Sequence, residues 1–120
     1  MTAGPRRGYA VGYLRDVRFG EEIVEYLRRI EATLEPHGGE WLVHGATLEP
    51  REGSWTGDLV IIGFPTVADA RAWYDSPGYQ EIGGLRTRNS DSMAALVEGV
   101  PPGYRVEQTL ARLLAARHVP

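Results

Sequence analysis

The chain has 120 residues, a formal net charge of -3 and 42% hydrophobic residues; this suits one packed domain and leaves no broad positive field for a nucleic-acid partner. It has no cysteine, which excludes disulfides, thiolate nucleophiles and zinc sites built on sulfur. No apolar run approaches the roughly 20 residues of a membrane helix, and Met1 to Arg7 carries arginines with no apolar stretch behind them, unlike a secretory signal; a cytoplasmic protein with no membrane partner is expected.

Arg7 to Leu14 alternates, with Tyr9, Val11 and Tyr13 on one face and Ala10, Gly12 and Leu14 on the other. Apart from the leading arginine neither face carries a charge, so the segment reads as a strand buried on both sides. Glu21 to Glu35 spaces Ile23, Tyr26, Leu27, Ile30 and Leu34 as one helical stripe. Glu21 and Glu22 suit its positive end, and Glu25 can pair with Arg29. Pro36-His37-Gly38-Gly39 ends it. Trp41 to Leu48 and Leu59 to Phe64 read as strands, joined by a connection too long for a tight hairpin and carrying Trp55.

Thr66 with Asp69 makes a capping box for a second helix, whose apolar face is Val67, Ala70, Trp73 and Tyr74. Asp75 breaks away, Ser76 caps again, and Pro77 suits the first position of a shorter helix spaced by Tyr79, Ile82 and Leu85. Met93 to Val97 is the last strand. The order β-α-β-β-α-β predicts a ferredoxin-like α+β sandwich over residues 1–100, with both helices on one face of the sheet. The strands are apolar on both sides, so the other face needs a cover, and a face-to-face homodimer is the simplest one. Beyond Pro101-Pro102-Gly103, Val106, Leu110, Leu113 and Leu114 line one side of a helix in a 101–120 extension, which is expected to dock on its own domain or on the neighbouring subunit.

Several motifs together make the chain similar to the domain-of-unknown-function 1330 family from about Gly8 to Val100. They are Gly8-Tyr9, His37-Gly38-Gly39, Val43-His44-Gly45, Phe64-Pro65, Tyr74-Asp75-Ser76-Pro77-Gly78-Tyr79-Gln80, Leu85-Arg86 and Leu96-Val97-Glu98-Gly99-Val100. The resemblance implies a dimeric α+β barrel. Its wider superfamily holds cofactor-free monooxygenases, cyclases, dehydratases, heme-degrading enzymes, stress proteins and regulators, so the fold does not choose the function. The chain departs from the family at His44, where arginine is usual, at Gly78, where an acidic residue is usual, and at Asp58-Leu59, where the strand often begins with a basic residue. The C-terminal extension also lies outside the common pattern.

His44, read as a strand residue on the face of Leu42 and Ala46, is the candidate catalytic group. In an apolar cavity it would serve as general base or orient a substrate oxygen; at the sheet surface or a dimer interface it is a hydrogen-bonded structural histidine. Arg86 matches the family's arginine and either holds a carboxylate or enolate or pairs locally with Asp75, Asp91 or Glu98. Tyr9, Tyr13, Trp41 and Trp55 are candidate aromatic walls for a flat ligand, or filling for a dimer core. Trp55, in a loop, is either a lid over a cavity mouth or a plug against the partner.

His37, His44 and His118 fall in separate elements, without the spacing of a metal site, and no glycine-rich phosphate loop or nucleophile elbow is present. No metal or cofactor is expected. Two functional classes follow: a cofactor-independent enzyme of cyclase, isomerase or monooxygenase type on an aromatic or polyketide-like metabolite, or a non-catalytic ligand-binding or stress-related protein.

Overall fold

The structure is a computed structural model and describes residues 6–117. In chain order it has β1 (Gly8–Arg15), α1 (Glu21–Leu34), a short 3-10 turn (Glu35–His37), β2 (Glu40–Val43), β3 (Asp58–Phe64), α2 (Val67–Asp75), α3 (Pro77–Thr87), β4 (Asp91–Glu98) and α4 (Val106–Arg117). The four strands form one sheet in the order β2-β3-β1-β4, with every neighbouring pair antiparallel. This is the predicted α+β architecture, with α3 as a second segment of the crossover and α4 appended.

Strand alternation sorts β1 into two rows. Ala10, buried between Ile62 of β3 and Leu96 of β4, belongs to the helix-facing row with Gly12 and Leu14. Beneath the helices the core gathers Tyr26, Ile30 and Leu34 of α1, Phe64 of β3, Ala70 and Trp73 of α2, and Tyr79 and Ile82 of α3. Gly8 lets β1 pass under the start of α2: a Cβ there would lie 2.3 Å from the Cα of Val67.

Two caps bound α2, Thr66 at its start and Ser76 at the corner into α3. The Thr66 hydroxyl accepts from the Asp69 backbone N–H at 3.1 Å and donates to the Asp69 carboxylate at 2.9 Å. The Ser76 hydroxyl accepts from the Tyr79 N–H at 3.2 Å and donates to the Trp73 carbonyl at 2.7 Å. Ser76 therefore closes one helix and opens the next, with Pro77 at the first turn of α3. The predicted Glu25–Arg29 pair is present on α1, and Arg29 also reaches Glu81 of α3 at 3.3 Å.

The second strand is shorter than the sequence pattern implies. It stops at Val43, because its register against β3 shifts between Trp41 and Val43 and Gly45 takes a left-handed φ of 84°. His44 is therefore the first residue past the strand, in irregular backbone, and does not continue the Leu42–Ala46 face.

Among the described residues no helix covers the opposite side of the sheet. Tyr9, Val11 and Tyr13 lie there, with Leu59 and Ile61 of β3 and Met93, Ala95 and Val97 of β4 in register beside them. Met93 is 61% and Val97 50% exposed, so a contiguous apolar face meets solvent in the single chain. The helix α4 is exposed too: its own domain buries none of its residues, and Val106, Leu110, Leu113 and Leu114 are all open. The Cα radius of gyration, 17.1 Å, exceeds the roughly 14 Å of a compact chain of this length. No helix among the described residues is long and apolar enough to cross a membrane. His118 lies outside the described residues.

Candidate functional site

Small residues on β1 and β4 open a cavity between sheet and helices. Gly12 sits between Val60 and Ala94 in the register, one step along the helix-facing row from Ala10. These positions supply little volume where α1, α2 and α3 pass over the sheet, and a cavity of about 340 Å³ results. A Cβ at Gly12 would meet ordinary contacts, Leu14 at 3.4 Å and the Met93 carbonyl and Val60 at 3.8 Å, so a small side chain fits there without a clash.

The walls are aromatic. Trp73 lies 4.4 Å from Tyr79, ring centre to ring centre, and Tyr74 lies 5.2 Å from Tyr79. The Trp73 indole is fixed from behind, donating its N–H to the Thr33 hydroxyl at 2.9 Å. Trp41 of β2 and His44 close another side, their rings stacked at 4.5 Å and 27°. His44 is exposed, so it stands at the mouth of the cavity.

One polar group of residues faces this apolar space. The Tyr26 and Tyr79 hydroxyls are 2.7 Å apart. Beside them lies Arg86, 7% exposed and the one charged residue in the buried core of the described residues. Its Nη1 donates to the Ser92 hydroxyl at 2.6 Å, and Ser92 is 3.0 Å from the Ser90 hydroxyl. None of the ion pairs among the described residues involves Arg86; Asp91 pairs with Arg15 and Glu98 with Arg6. The local pairing expected for Arg86 is therefore not what holds it.

Burial pushes the Tyr26 hydroxyl well above its ordinary value, and the neighbouring Tyr79 pushes it further, so Tyr26 is a neutral donor or acceptor at any ordinary pH. Burial alone would lower Arg86, but its interactions with Tyr79 and Tyr26 outweigh that and raise it. The cavity thus ends in a held positive charge beside the Tyr26, Tyr79 and Ser92 hydroxyls. Such a group attracts an anionic oxygen, and the surrounding low-dielectric walls strengthen that attraction.

Of the sequence-predicted residues, the fold brings His44, Trp41 and Arg86 to this cavity. Tyr9 and Tyr13 point to the opposite, helix-free face, as the alternation of β1 requires. Trp55 joins them there. Its ring meets Tyr13 edge-on at 6.0 Å, its indole N–H is held by the Glu52 carbonyl at 2.9 Å, and the Tyr13 hydroxyl accepts from the Gly57 N–H at 2.8 Å. Trp55 therefore lies away from the cavity mouth. Sequence reasoning read Tyr26, Trp73 and Tyr79 as core filling and passed over Gly12. Two signals marked them: buried tyrosines need hydroxyl partners, and the Ala10-x-Gly12 step leaves a helix-facing row without bulk.

The family described as a domain of unknown function, DUF1330, matches residues 7–100, and the chain belongs to that family. No functionally curated protein matches the sequence. Among solved structures, a protein of unknown function from Rhodopseudomonas palustris is similar at 19% identity and a TM-score of 0.55, over 83% of this chain and 87% of that one. SnoaB, a cofactor-independent oxygenase from Streptomyces nogalater, is similar at 16% identity and a TM-score of 0.53, over 83% and 99%. A dimeric ferredoxin-like protein of unknown function from Thermobifida fusca gives 13% identity and a TM-score of 0.53, over 82% and 95%. At these identities the likeness is one of fold.

Proposed function

Starting from a DUF1330 member with an aromatic cavity, we propose that this chain is a homodimeric, small-molecule-binding α+β barrel protein. On this reading it acts without a cofactor, as a cyclase, isomerase or monooxygenase type of enzyme, on an aromatic or polyketide-like metabolite. The observation that carries the proposal is the cavity of about 340 Å³ walled by Trp41, Trp73 and Tyr79. Its size falls at the small end of the roughly 300–1,000 Å³ typical of ligand pockets, and apolar walls with a few convergent polar groups are what such pockets have. The fold likeness to a cofactor-independent oxygenase is compatible with the reading.

The chemistry assigned to the residues is limited. Among the described lining residues His44 is the one imidazole, and none is a carboxylate. His44 would take a proton from substrate at the mouth, while Arg86 and the tyrosine hydroxyls hold the oxygen on which charge develops. One observation favours the non-catalytic alternative: His44 is exposed, where water competes for its proton.

Homodimerisation covers the sheet face that carries Met93 and Val97, and the apolar stripe of α4 packs on the partner subunit in the same assembly.

Filling the cavity tests the ligand reading. Gly12→Val places a strand-favouring side chain at the cavity floor, where a Cβ meets no clash. It is expected to raise thermal stability slightly and to abolish binding of naphthamide, a flat neutral probe followed by tryptophan fluorescence. Binding that survives Gly12→Val undiminished removes the cavity as the site. Turnover of any bound candidate by the wild type separates the two classes, and His44→Ala then tests the base: lost turnover with retained binding supports His44, and unchanged turnover removes it.

A further inference from the structure

We propose that the cavity selects a flat, conjugated organic acid carrying a single negative charge, with its ionised oxygen seated on Arg86 and its ring between Trp41 and the Trp73–Tyr79 wall. This rests on the reading of the cavity as a ligand site and goes further, to the charge of the ligand and the place where that charge sits.

Burying a guanidinium is costly unless it is paired. Arg86 is more than nine-tenths buried and has no carboxylate partner among the described residues, although Asp91 and Glu98 lie nearby in the sequence and pair elsewhere. Its hydrogen-bond partners are hydroxyls, Ser92 at 2.6 Å and the Tyr79 and Tyr26 pair, and none of them supplies the negative charge that a guanidinium with five N–H donors can take. The donors that remain, with the Tyr26–Tyr79 hydroxyl pair beside them, form a planar, fixed fork of the kind that binds a carboxylate or an enolate through two oxygens or one.

The charge count sets the selectivity. One cation faces the cavity, so one negative charge is neutralised, and a second would lie unpaired against tryptophan and tyrosine rings. A neutral isostere leaves Arg86 as it is in the empty protein and gains only the burial of its ring. A cation meets Arg86 as a like charge. The ordered preference is therefore monoanion, then neutral ring, then cation. Burial keeps the Tyr26 hydroxyl neutral at working pH, so the preference does not depend on its ionisation.

The test is a calorimetric titration of the full chain with naphthoate and with naphthamide, which share a ring and differ in charge. The wild type is expected to bind naphthoate about tenfold to a hundredfold more tightly, the range of a charge-assisted hydrogen bond. Arg86→Met is expected to abolish that preference while still binding naphthamide, and Tyr79→Phe, which keeps the cation, to reduce it in part. Equal binding of the two probes by the wild type, or a preference that survives Arg86→Met, overturns the proposal and leaves the cavity reading standing. Binding of neither probe by the wild type overturns both. The wild-type comparison needs no variant, so the proposal is decided even if Arg86→Met does not fold.

Discussion

Replacing Arg86 by methionine should stabilise the ligand-free protein. Transfer of one guanidinium from water to a protein interior carries a penalty of several kcal/mol, taken as about 5. The hydrogen bond to Ser92 at 2.6 Å returns about 2 kcal/mol. The hydroxyls of Tyr26 and Tyr79 return about 1 kcal/mol more. The remainder, about 2 kcal/mol, is what the cavity bears for keeping a cation without an anion. The upward shift of Arg86 does not conflict with this, because it compares the charged guanidinium with a neutral one, whereas the substitution compares it with an apolar chain. Methionine adapts to irregular space, and Ser92 keeps Ser90 as a partner. A gain of about 1–2 kcal/mol corresponds to a rise in Tm of about 4–8 °C for a chain of this size. Differential scanning calorimetry of both proteins without ligand reads it directly. A fall in Tm of several degrees would mean that Arg86 is a structural strut whose hydrogen bonds exceed its desolvation penalty, and the reasoning from an unpaired charge would fail.

Three further outcomes follow from the same structure. Burial and Tyr79 raise the folded-state value of Tyr26 above its ordinary 10.0, so its contribution is complete below about pH 10 and is lost as pH climbs past it; Tyr26→Phe should be less stable at neutral pH by about 1–3 kcal/mol, because Tyr79 loses its partner, yet should lose less stability above pH 10 in urea titrations. Hydrogen bonds from Arg88 and Asn89 hold the Glu22 carboxyl below its ordinary 4.5, so its contribution is present above that value and lost as pH falls below it, and Glu22→Gln should flatten the acid limb of the stability curve. Val97→Glu puts a charge on the helix-free sheet face and should shift the light-scattering mass from dimer to monomer; removal of residues 101–120 should weaken the dimer without unfolding the sheet, and an unchanged mass in both variants would remove that face and α4 from the interface.

Much of the fold was legible because its signals are local. The Ile23–Leu34 stripe, the Thr66 and Ser76 caps and the alternation of β1 each fix an element from a few neighbouring residues. Where β2 ends was not legible, since Trp41 to Leu48 keeps an apolar pattern through Gly45 and only the register shift against β3 and the turn at φ 84° show the break. The candidate site was legible in half. His44, Trp41 and Arg86 meet at the cavity, but alternation gave Tyr9 and Tyr13 no reason to share a face with Trp41, which the register places opposite Ile62. The cavity itself comes from residues that are small, at Ala10, Gly12 and Ala94, and their juxtaposition across two strands is a property of pairing, not of any one segment. The isolation of Arg86 was hidden for a similar reason, because Asp91 and Glu98 are close in sequence yet are drawn off by Arg15 and Arg6 across the sheet.

A crystal structure of the full chain with naphthoate bound would show where the anion sits. The ring is expected in the cavity above Gly12, against Trp73 and Tyr79, with a carboxylate oxygen about 2.7–2.9 Å from the Arg86 guanidinium. A carboxylate turned outward toward His44, or a ring seated on the helix-free face beside Tyr13 and Trp55, would contradict it.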